Sequence, residues 1–367
     1  MLIVGAGIVG AACAREFARQ GLRVAVIEPG AIGGGASAAA MGHLLVVDAA
    51  DGGPDAEFQL SRRSLALWRD WLAERPGNPR LAEQSPCGTL WLAADAEELD
   101  LARRKQRWYA DQGLEAALLD GAELAAQEPL LRPGLAGALR VPGDARIYPP
   151  KVAAQWLHEA GAELIECEVV ALDGHSLRLA DGRRLWGGLT VLCAGLASQR
   201  WLPPGWLEPK KGQLAITQRG PALLKHQLVE LGYIKKAHLT DQDTVSFNVQ
   251  PRPGGQLLIG SSRQPGSSDR TLDLGMLDRM LALACDYLPA LRAMSLLRCW
   301  TGLRPASRDG QPLIGRHPEH PRVWLATGHE GLGITTSLAT AELVAQLSLA
   351  QTCTLDPTPF NPARLLA

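Results

Sequence analysis

Residues 1–28, MLIVGAGIVGAACAREFARQGLRVAVIE, contain two apolar segments separated by a glycine turn and a helical pattern. Residues 2–4 predict a short buried strand, and residues 11–20 predict a helix that ends at Gly21. Residues 22–27 predict a second apolar strand. Because a strand, a helix and a strand follow one another within 30 residues, this segment predicts one βαβ unit with parallel strands.

The turn of this unit, residues 5–10, has the spacing of a dinucleotide-binding loop. Gly5 permits the tight turn, Gly7 lets the backbone approach a pyrophosphate, and Gly10 lets the helix pack closely. The N–H groups at the start of the helix then suit phosphate oxygens. Glu28 ends the second strand 18 residues after Gly10, where a carboxylate accepts hydrogen bonds from ribose hydroxyls. We therefore predict nucleotide binding, and the acid disfavours a 2′-phosphate.

Length and composition indicate a globular protein of two domains. The chain has 367 residues, and domains average about 150 residues. Its 37 basic and 38 acidic residues give a net charge of −1, so no nucleic-acid partner is expected. The chain holds 39 glycines, a fraction above the usual ~7%, and this surplus requires an explanation.

The cysteines and the apolar segments bear on the cellular location. Seven scattered cysteines include no C-x-x-C pair, so we expect reduced core thiols in a reducing compartment. No basic segment precedes the first apolar residues, and we expect no signal peptide. The longest stretch without charged side chains, residues 29–47, holds five glycines and a proline and does not suit a membrane helix. The expected location is cytoplasmic, and peripheral contact with the inner membrane is left open.

Two further glycine clusters are candidates for the same ligand. Residues 33–43, GGGASAAAMGH, are either a flexible linker or a loop that lines a cofactor; their lack of charge favours the loop. Residues 328–333, GHEGLG, join a predicted strand at 323–327 to a predicted helix at 334–349. Helix starts at opposite ends of a chain suit one extended cofactor, although glycine needed for sterics alone is the alternative.

The middle of the chain predicts a separate antiparallel sheet from residues 212–217, 244–251 and 256–260. His317 and His320 have metal-like spacing, but they lie between prolines in a predicted surface loop, and we expect no metal. The chain has no G-x-S-x-G or P-loop pattern, so triad hydrolase and kinase chemistry have no support.

The sequence resembles the FAD-dependent D-amino acid oxidase and glycine oxidase family, and within it most closely D-hydroxyproline dehydrogenase. The motifs that carry the resemblance are VGAGIVG with Glu28, GASAAAMG, TVLCAGLAS at 190–198, GLRPASRDGQPLIG at 302–315 and ATGHEGLGITTSLATAEL at 326–343. The resemblance implies an α/β fold, α+β overall, in which a Rossmann-like FAD-binding domain carries an inserted antiparallel-sheet substrate domain. The implied FAD domain comprises residues 1–76, 145–203 and 300–367, and the implied substrate domain comprises residues 77–144 and 204–299.

The same resemblance assigns the cofactor contacts. The implied FAD-binding residues are Gly5, Gly7, Ile8, Val9, Gly10 and Glu28 at the ADP half, Ala36, Ser37, Met41, Gly42 and His43 along the isoalloxazine, Val169 beside the adenine, Ala194 and Gly195 near the pyrophosphate, and Gly331, Leu332, Gly333 and Ile334 at the flavin N1–C2=O edge. A helix start at that edge stabilises the negative charge that reduction places there. Only Cys299 lies near the position of a covalent flavin tether, and we expect non-covalent FAD.

For the substrate, Arg304 matches the family's carboxylate-binding arginine and is the implied catalytic residue; a buried structural ion pair is the alternative. Phe247, Asn248, Gln250 and Arg263 are further substrate-binding candidates. His43 either faces flavin or substrate or bonds to backbone. The family's glycine oxidases carry a second basic residue in the turn at 328–333, which is absent from this chain.

The resemblance implies dehydrogenation of a small D-amino or imino acid, D-hydroxyproline-like, to its imine by hydride transfer to flavin N5. The alternatives are a glycine- or sarcosine-type oxidase that uses O2, and a flavin subunit of a multi-subunit dehydrogenase. The electron acceptor is O2, a quinone or a partner protein, and a homo-oligomer is left open.

Overall fold

The computed structural model describes residues 1–46, 56–74, 83–173, 176–232 and 242–366. In these ranges the helices are α1 (Ile8–Arg19), α2 (Gly35–Ala38), α3 (Ala56–Ala73), α4 (Ala96–Asp111), α5 (Gly121–Gln127), α6 (Pro149–Glu159), α7 (Leu274–Tyr287) and α8 (Gly333–Ser348), with short 3-10 helices at Gly195–Trp201, Pro289–Ala293, Thr358–Phe360 and Pro362–Leu366. The strands are β1 (Leu2–Val4), β2 (Ala25–Ile27), β3 (His43–Leu44), β4 (Thr89–Ala93), β5 (Ala117–Asp120), β6 (Gly137–Val141), β7 (Ala145–Arg146), β8 (Glu163–Ile165), β9 (Val169–Asp173), β10 (Ser176–Leu179), β11 (Arg184–Trp186), β12 (Thr190–Leu192), β13 (Leu207–Thr217), β14 (Gln227–Glu230), β15 (Thr244–Pro251), β16 (Leu257–Pro265), β17 (Leu296–Ser307), β18 (Leu313–Arg316) and β19 (Val323–Thr327).

The glycine turn follows β1, an inner strand of a six-stranded sheet with the order β18-β19-β12-β1-β2-β8. The turn therefore lies at the carboxyl ends of the strands. β1 pairs in parallel with both β2 and β12, and β19 continues the parallel sheet beyond β12. The chain therefore passes from β1 to β2 on one side and returns much later to β12 on the other side of β1. Such a switch point leaves a crevice at the carboxyl ends of the strands, where ligands of α/β sheets bind.

β2 is shorter than the predicted strand because the end of α1 uses the first residues of that segment. Gly21 adopts a φ of +80°, and the N–H of Leu22 bonds back to the Phe17 carbonyl at 3.1 Å. This is the hydrogen-bond pattern of a glycine-terminated helix. The chain can enter the sheet only at Ala25.

The two faces of the parallel sheet are covered by different elements. Ile3 points toward the helical layer of α1, α6 and α8, whereas Leu2 and Val4 point toward the β9–β11 sheet. Trp68 and Trp156 fill the helical layer with their ring centroids 4.8 Å apart. The alternation along β1 follows from the two-residue period of a strand, so the sheet is buried on both sides.

A second sheet has eight strands in the order β17-β13-β16-β15-β14-β4-β6-β5. Its pairs are antiparallel except for β14 with β4. α7 covers one face, and the α/β class with an added, mainly antiparallel sheet is confirmed. β17 runs across the expected domain boundary at residue 300. The expected boundary at residues 76/77 lies outside the described residues.

Two features of the chain differ from or extend the predictions. All seven cysteines lie in the described ranges as unbridged thiols, but only Cys13 and Cys193 are fully buried. His317 is buried rather than on a surface loop, and its Nε2 lies 2.6 Å from the Trp201 carbonyl oxygen.

None of the helices in the described ranges combines the length and apolar character that crossing a bilayer requires.

Candidate functional site

The turn at residues 5–10 is closed by contacts that only glycine allows. Gly5 has a φ of +104°, and a Cβ there would lie 2.6 Å from the Cys193 carbonyl oxygen. A Cβ at Gly10 would lie 2.0 Å from the Gly5 carbonyl oxygen. These distances are below non-bonded contact, so the helix start packs directly against the turn. The Cβ of a residue at position 7 would meet only Ser37 Oγ, at 3.4 Å.

Polar groups surround the start of α1. The Ile8 N–H donates to Ser37 Oγ at 3.0 Å, which brings the loop of residues 35–38 onto the helix N-terminus. Glu28 accepts hydrogen bonds from the Ala6 N–H at 2.9 Å and the Gly30 N–H at 3.0 Å. The carboxylate is thereby held at the end of β2, beside the glycine turn.

The loop that follows α2 crosses between the two sheets. Gly42 has a φ of +87°, and a Cβ there would lie 2.0 Å from the Ile147 carbonyl oxygen. Met41 lies against Gly260 of β16, since a Cβ at Gly260 would be 2.9 Å from Met41 Sδ. This loop therefore connects the parallel sheet to the eight-stranded sheet.

The backbone of His43 is hydrogen-bonded to α8, whereas the Nε2 atom of its side chain is not hydrogen-bonded to any described residue. Its carbonyl oxygen accepts from Thr335 Oγ1 at 3.1 Å. Burial, with the charge of Arg252, lowers the pKa of His43 to about 3, so the imidazole is neutral at physiological pH. Its buried Nε2 has no hydrogen-bond partner among the described residues. Of the two expected roles, bonding to backbone through this nitrogen is not observed.

The C-terminal glycine turn meets the first one. A Cβ added at Gly333 would lie 3.8 Å from Val9 Cγ2, although the two residues are more than 300 positions apart. Leu332 caps α8 without a side-chain hydrogen bond, and Ile334 is buried. Two helix N-termini therefore point into one crevice, and both present backbone N–H groups.

The remaining predicted cofactor residues lie in the turn after β12, on β9 and in α2. Gly195 follows β12 with a φ of +54°, next to Ala194, and its carbonyl oxygen accepts from Thr327 Oγ1 at 3.2 Å. Val169 on β9 is 3% exposed and belongs to the core below the sheet. Ala36 lies in α2 beside Ser37. The glycine cradle and the orphaned His43 nitrogen fit an extended dinucleotide that lies along this edge.

Arg304 lies on β17, between the eight-stranded sheet and the turn before α8. Its Nη1 donates to the Ser262 carbonyl oxygen at 3.2 Å. A Cβ on Gly212 of β13 would lie 2.5 Å from that nitrogen, so glycine provides the space for the guanidinium. On the other side, a Cβ on Gly331 would lie 4.0 Å from Arg304 Cδ.

Backbone hydrogen bonds connect the Arg304 strand to the α8 turn. The Glu330 N–H donates to the Pro305 carbonyl oxygen at 2.9 Å, and Ala306 forms a bridge with His329. His329 is buried, its Nε2 lies 3.0 Å from Thr340 Oγ1, and burial lowers its pKa to about 4. The substrate arginine predicted from sequence therefore has a fixed position relative to the helix start.

The structure separates the other predicted substrate residues into two groups. Phe247 stacks on Tyr287 of α7, with ring centroids 4.5 Å apart, in the core of the second sheet. The pocket prediction for Phe247 is therefore corrected, because a strand alternates its faces and Phe247 points away from Asn248 and Gln250. Asn248 and Gln250 are buried on the face that carries Met41, and each has a buried side-chain oxygen without a partner in the described residues.

Arg263, another predicted substrate-binding residue, contacts the turn that precedes α8. Its Nη2 lies 3.0 Å from Glu330 Oε1. Sequence analysis had marked Glu330 only as a departure from a basic residue. The pairing joins β16 to a turn 67 positions later, and no local pattern signals it.

Two arginines near His43 are not predicted from sequence. Arg252 Nη2 donates to the Met41 carbonyl oxygen at 2.7 Å, and burial followed by the charge of Arg146 lowers the pKa of Arg252 to about 10. Arg146 is the cross-strand partner of His43 and is 4% exposed. Its Nε and Nη1 have no hydrogen-bond partner in the described part of the chain. Arg252 and Met41 are 211 positions apart and Arg146 and His43 are 103 positions apart, so sequence spacing carries no signal for these contacts.

Comparisons with known proteins identify the family. Residues 1–347 match the family model described as DAO, FAD dependent oxidoreductase. Glycine oxidase of Geobacillus kaustophilus is 31% identical over 385 aligned positions, which cover 99% of this chain and 96% of that protein. The crystal structure of glycine oxidase from that organism superposes with a TM-score of 0.86, at 30% identity, over 99% of this chain and 98% of the other. Hydrogen cyanide synthase subunit HcnC of Pseudomonas aeruginosa is 28% identical, over 99% of this chain and 95% of that protein. The chain therefore belongs to the DAO family of FAD-dependent oxidoreductases, and FAD is its cofactor.

Proposed function

We propose that this enzyme oxidises a small D-amino or imino acid, D-hydroxyproline-like, to its imine. The observation that carries the proposal is the place of Arg304, whose strand is bonded through Pro305 to the turn that opens α8. A carboxylate-binding group and the helix start assigned to the flavin edge are thus coupled directly. This coupling suits a substrate whose α-carbon must be held against the flavin ring.

Arg304 supplies orientation in this proposal. A guanidinium binds a carboxylate through two parallel hydrogen bonds, which restricts rotation of the substrate about the carboxylate carbon. FAD, when bound, would supply the acceptor for the hydride that leaves the α-carbon, while the amine nitrogen of the substrate would release a proton as the C=N bond forms. A substrate with a neutral amine needs no protein base for the hydride step. His43, whose pKa is lowered to about 3, stays neutral and would add no charge at its proposed place along the isoalloxazine.

We also propose that FAD binds non-covalently, at the residues that the resemblance assigns to it. Gly5, Gly7 and Gly10 would hold the pyrophosphate, and Glu28 would exchange a backbone partner for ribose hydroxyls. Cys299 packs toward the core beside α7, whereas the next residue, Trp300, packs toward Met41. A thiol on the far face of β17 supports a flavin without a covalent tether. The proposed two-domain division keeps the boundaries given under Sequence analysis.

The second candidate is a glycine- or sarcosine-type oxidase that uses O2. It is favoured by the 31% identity with a glycine oxidase across almost the entire chain. A flavin subunit of a larger dehydrogenase is the third, and similarity to a named hydrogen cyanide synthase subunit supports it. A quinone or a partner protein would then accept the electrons.

An anaerobic flavin-bleaching screen tests the proposal. The FAD-loaded protein is mixed with D- and L-amino acids, including hydroxyprolines, glycine and sarcosine, and the absorbance of oxidised flavin is followed. Bleaching by D-imino acids and not by glycine supports the leading proposal. Bleaching by glycine, with one peroxide formed per turnover in air, selects the oxidase instead. If no amino acid bleaches the flavin of a protein that retains FAD, the proposed substrate class is wrong.

A further inference from the structure

Arg252 clamps one end of the two-stranded ribbon that β3 and β7 form. Its Nη2 donates to the Met41 carbonyl oxygen at 2.7 Å, and its Nη1 donates to the Ile147 carbonyl oxygen at 3.4 Å. The Ile147 N–H in turn donates to the Gly42 carbonyl oxygen at 2.9 Å. The guanidinium is therefore fixed against the loop that leads into β3.

The charge of Arg252 has no counter-ion in contact among the described residues. Both of its hydrogen-bond acceptors are backbone carbonyls. Glu83 attracts Arg252 from a longer distance, but Lys151 Nζ lies 2.6 Å from the Glu83 carboxylate. The other described groups whose charge acts on Arg252 are Arg146, which repels it, and Cys87 and Tyr148. Because charges removed from water are normally paired, this arrangement indicates a role for the positive charge.

Arg252 is also close to His43. Its charge, added to the larger effect of burial, lowers the pKa of His43 to about 3, so the imidazole is neutral at physiological pH. Met41 and His43 both belong to the loop that the resemblance assigns to the isoalloxazine. Arg252 therefore provides a permanent positive charge beside that loop, whereas His43 provides none.

We propose that Arg252 stabilises the negative charge that the isoalloxazine gains on reduction, and so favours transfer of electrons from the substrate to FAD. This role rests on the proposed place of Met41 and His43 along the ring. Arg252 acts through space, because Nη1 and Nη2 are already bonded to the two backbone carbonyls. A unit charge about 10 Å away, at an effective dielectric constant of about 20, changes an equilibrium constant about tenfold.

Gln227 offers a matched control, because it clamps the same ribbon without a charge. Its Nε2 donates to the Ala145 carbonyl oxygen at 3.2 Å, and its side chain is fully buried. Gln227→Leu removes this clamp and changes no charge. Arg252→Gln removes the charge and keeps an amide that can donate, whereas Arg252→Lys keeps the charge and loses the planar guanidinium. The three variants separate the effect of charge from the effect of the clamp.

The test measures negative charge on the flavin at equilibrium, without turnover. Sulfite adds to N5 of oxidised flavin, which leaves negative charge on the ring and bleaches its visible absorbance. The dissociation constant of this adduct is measured for FAD-loaded wild type and each variant, at constant salt concentration. Anaerobic reduction beside a reference dye gives the ratio of reduced to oxidised flavin as a second readout. Circular dichroism, urea unfolding and FAD content are the controls for folding.

In Arg252→Gln we expect the dissociation constant for sulfite to rise about tenfold, and the ratio of reduced to oxidised flavin at a fixed dye potential to fall by a similar factor. In Arg252→Lys both values should stay within about threefold of wild type, since the charge remains. Gln227→Leu should lower the urea midpoint and leave both flavin values within about twofold of wild type.

Unchanged flavin values in Arg252→Gln would overturn the proposal. Equal losses in Arg252→Gln and Arg252→Lys would do the same, because the clamp would then explain them. If wild type forms no sulfite adduct, the dye equilibrium decides by the same criteria.

If Arg252→Gln does not retain FAD, Arg252→Lys decides between about pH 7 and about pH 10. Burial and the charge of Arg146 lower the pKa of a base at this position, so the lysine loses its charge in this range. Sulfite binding should then weaken relative to wild type as pH rises, and a constant ratio overturns the proposal.

His43→Ala distinguishes failure of this role from failure of the proposed site. A changed FAD dissociation constant or flavin spectrum in His43→Ala supports the place of His43 along the ring, and unchanged flavin values in Arg252→Gln then refute only the role of Arg252. If His43→Ala leaves FAD affinity and the spectrum unchanged, the loop does not line the ring and the role of Arg252 fails with it. Because sulfite binding needs no amino acid, the result is independent of the proposed substrate class.

Discussion

Alanine at Gly7 should weaken FAD binding and leave the fold unchanged, whereas alanine at Gly10 should destabilise the fold itself. Gly7 has a φ of −67° and a ψ of 177°, which any residue adopts, and its added Cβ would lie 3.4 Å from Ser37 Oγ. Nothing in the described part of the protein requires glycine at this position. If the pyrophosphate approaches the backbone here, the requirement comes from the ligand.

Gly10 is constrained by the protein. Its added Cβ would lie 2.0 Å from the Gly5 carbonyl oxygen. Non-bonded carbon–oxygen contacts are about 3.3 Å or longer, so the helix start and the turn must separate by more than about 1 Å. Overpacking of this size costs about 3 kcal/mol. We expect Gly10→Ala to lower the stability of the apoprotein by that amount and to weaken FAD binding as a consequence.

For Gly7→Ala we expect apoprotein stability within about 0.5 kcal/mol of wild type, together with an FAD dissociation constant raised about tenfold or more. Stability is measured by urea unfolding of the deflavinated proteins, and affinity by quenching of FAD fluorescence. Gly188→Ala is the matched control, because its Cβ would meet nothing within 4 Å. Wild-type FAD affinity in Gly7→Ala would refute the assignment of the pyrophosphate to this turn.

Three further predictions follow from single residues. Arg304→Leu should raise KM about 100-fold, because two charged hydrogen bonds to the carboxylate are lost, while FAD content stays unchanged; steady-state kinetics with equal KM would contradict its assigned role. Gly42→Ala should destabilise the protein by about 3 kcal/mol, since its Cβ would lie 2.0 Å from the Ile147 carbonyl oxygen, and an unchanged unfolding midpoint would contradict the packing. Burial raises the pKa of Asp144 from 3.8 to about 7, although a hydrogen bond with Thr89 acts in the opposite direction. The folded protein therefore binds a proton at Asp144 more tightly than the unfolded chain does, and the stability that this proton contributes is lost as pH rises from about 4 to 7. Asp144→Asn should therefore gain stability over wild type between pH 4 and 7; urea titrations showing the same difference at both pH values would exclude this titration.

The parts of the fold that depend on local pattern could be predicted from sequence. The strands at Thr244–Pro251 and Val323–Thr327 have the predicted bounds, because each is an apolar or alternating run between turn residues. β13 begins at Leu207, five residues before the predicted start, and it includes Lys210 and Lys211, whose charges are not typical of a buried strand. Lys211 is instead 2% exposed and lies 3.4 Å from Asp269, a partner 58 positions away.

In the candidate site, too, local patterns could be predicted from sequence, whereas contacts between distant segments could not. The glycine turns could be identified because the spacing of their residues is a local property. The alternation of apolar and polar residues along β15 places Phe247 on the opposite face from Asn248 and Gln250, but which of the two faces meets the loop at Met41 depends on how the sheets assemble. Arg146, Arg252 and the partner of Arg263 depend on contacts between segments distant along the chain, which only the assembled sheets bring together.

The strand order explains why glycine is concentrated in this chain. β1, β12 and β19 are consecutive neighbours in the parallel sheet, and each is followed by a glycine turn that leads into a helical segment. Parallel neighbours place their carboxyl ends on one edge, so the turns at residues 5–10, 194–195 and 328–333 line a single crevice. Left-handed backbone at Gly5, Gly195 and Gly328 recurs along that edge. Part of the glycine surplus therefore follows from topology, because three adjacent strands each end in a glycine turn at the edge where we propose that the cofactor lies.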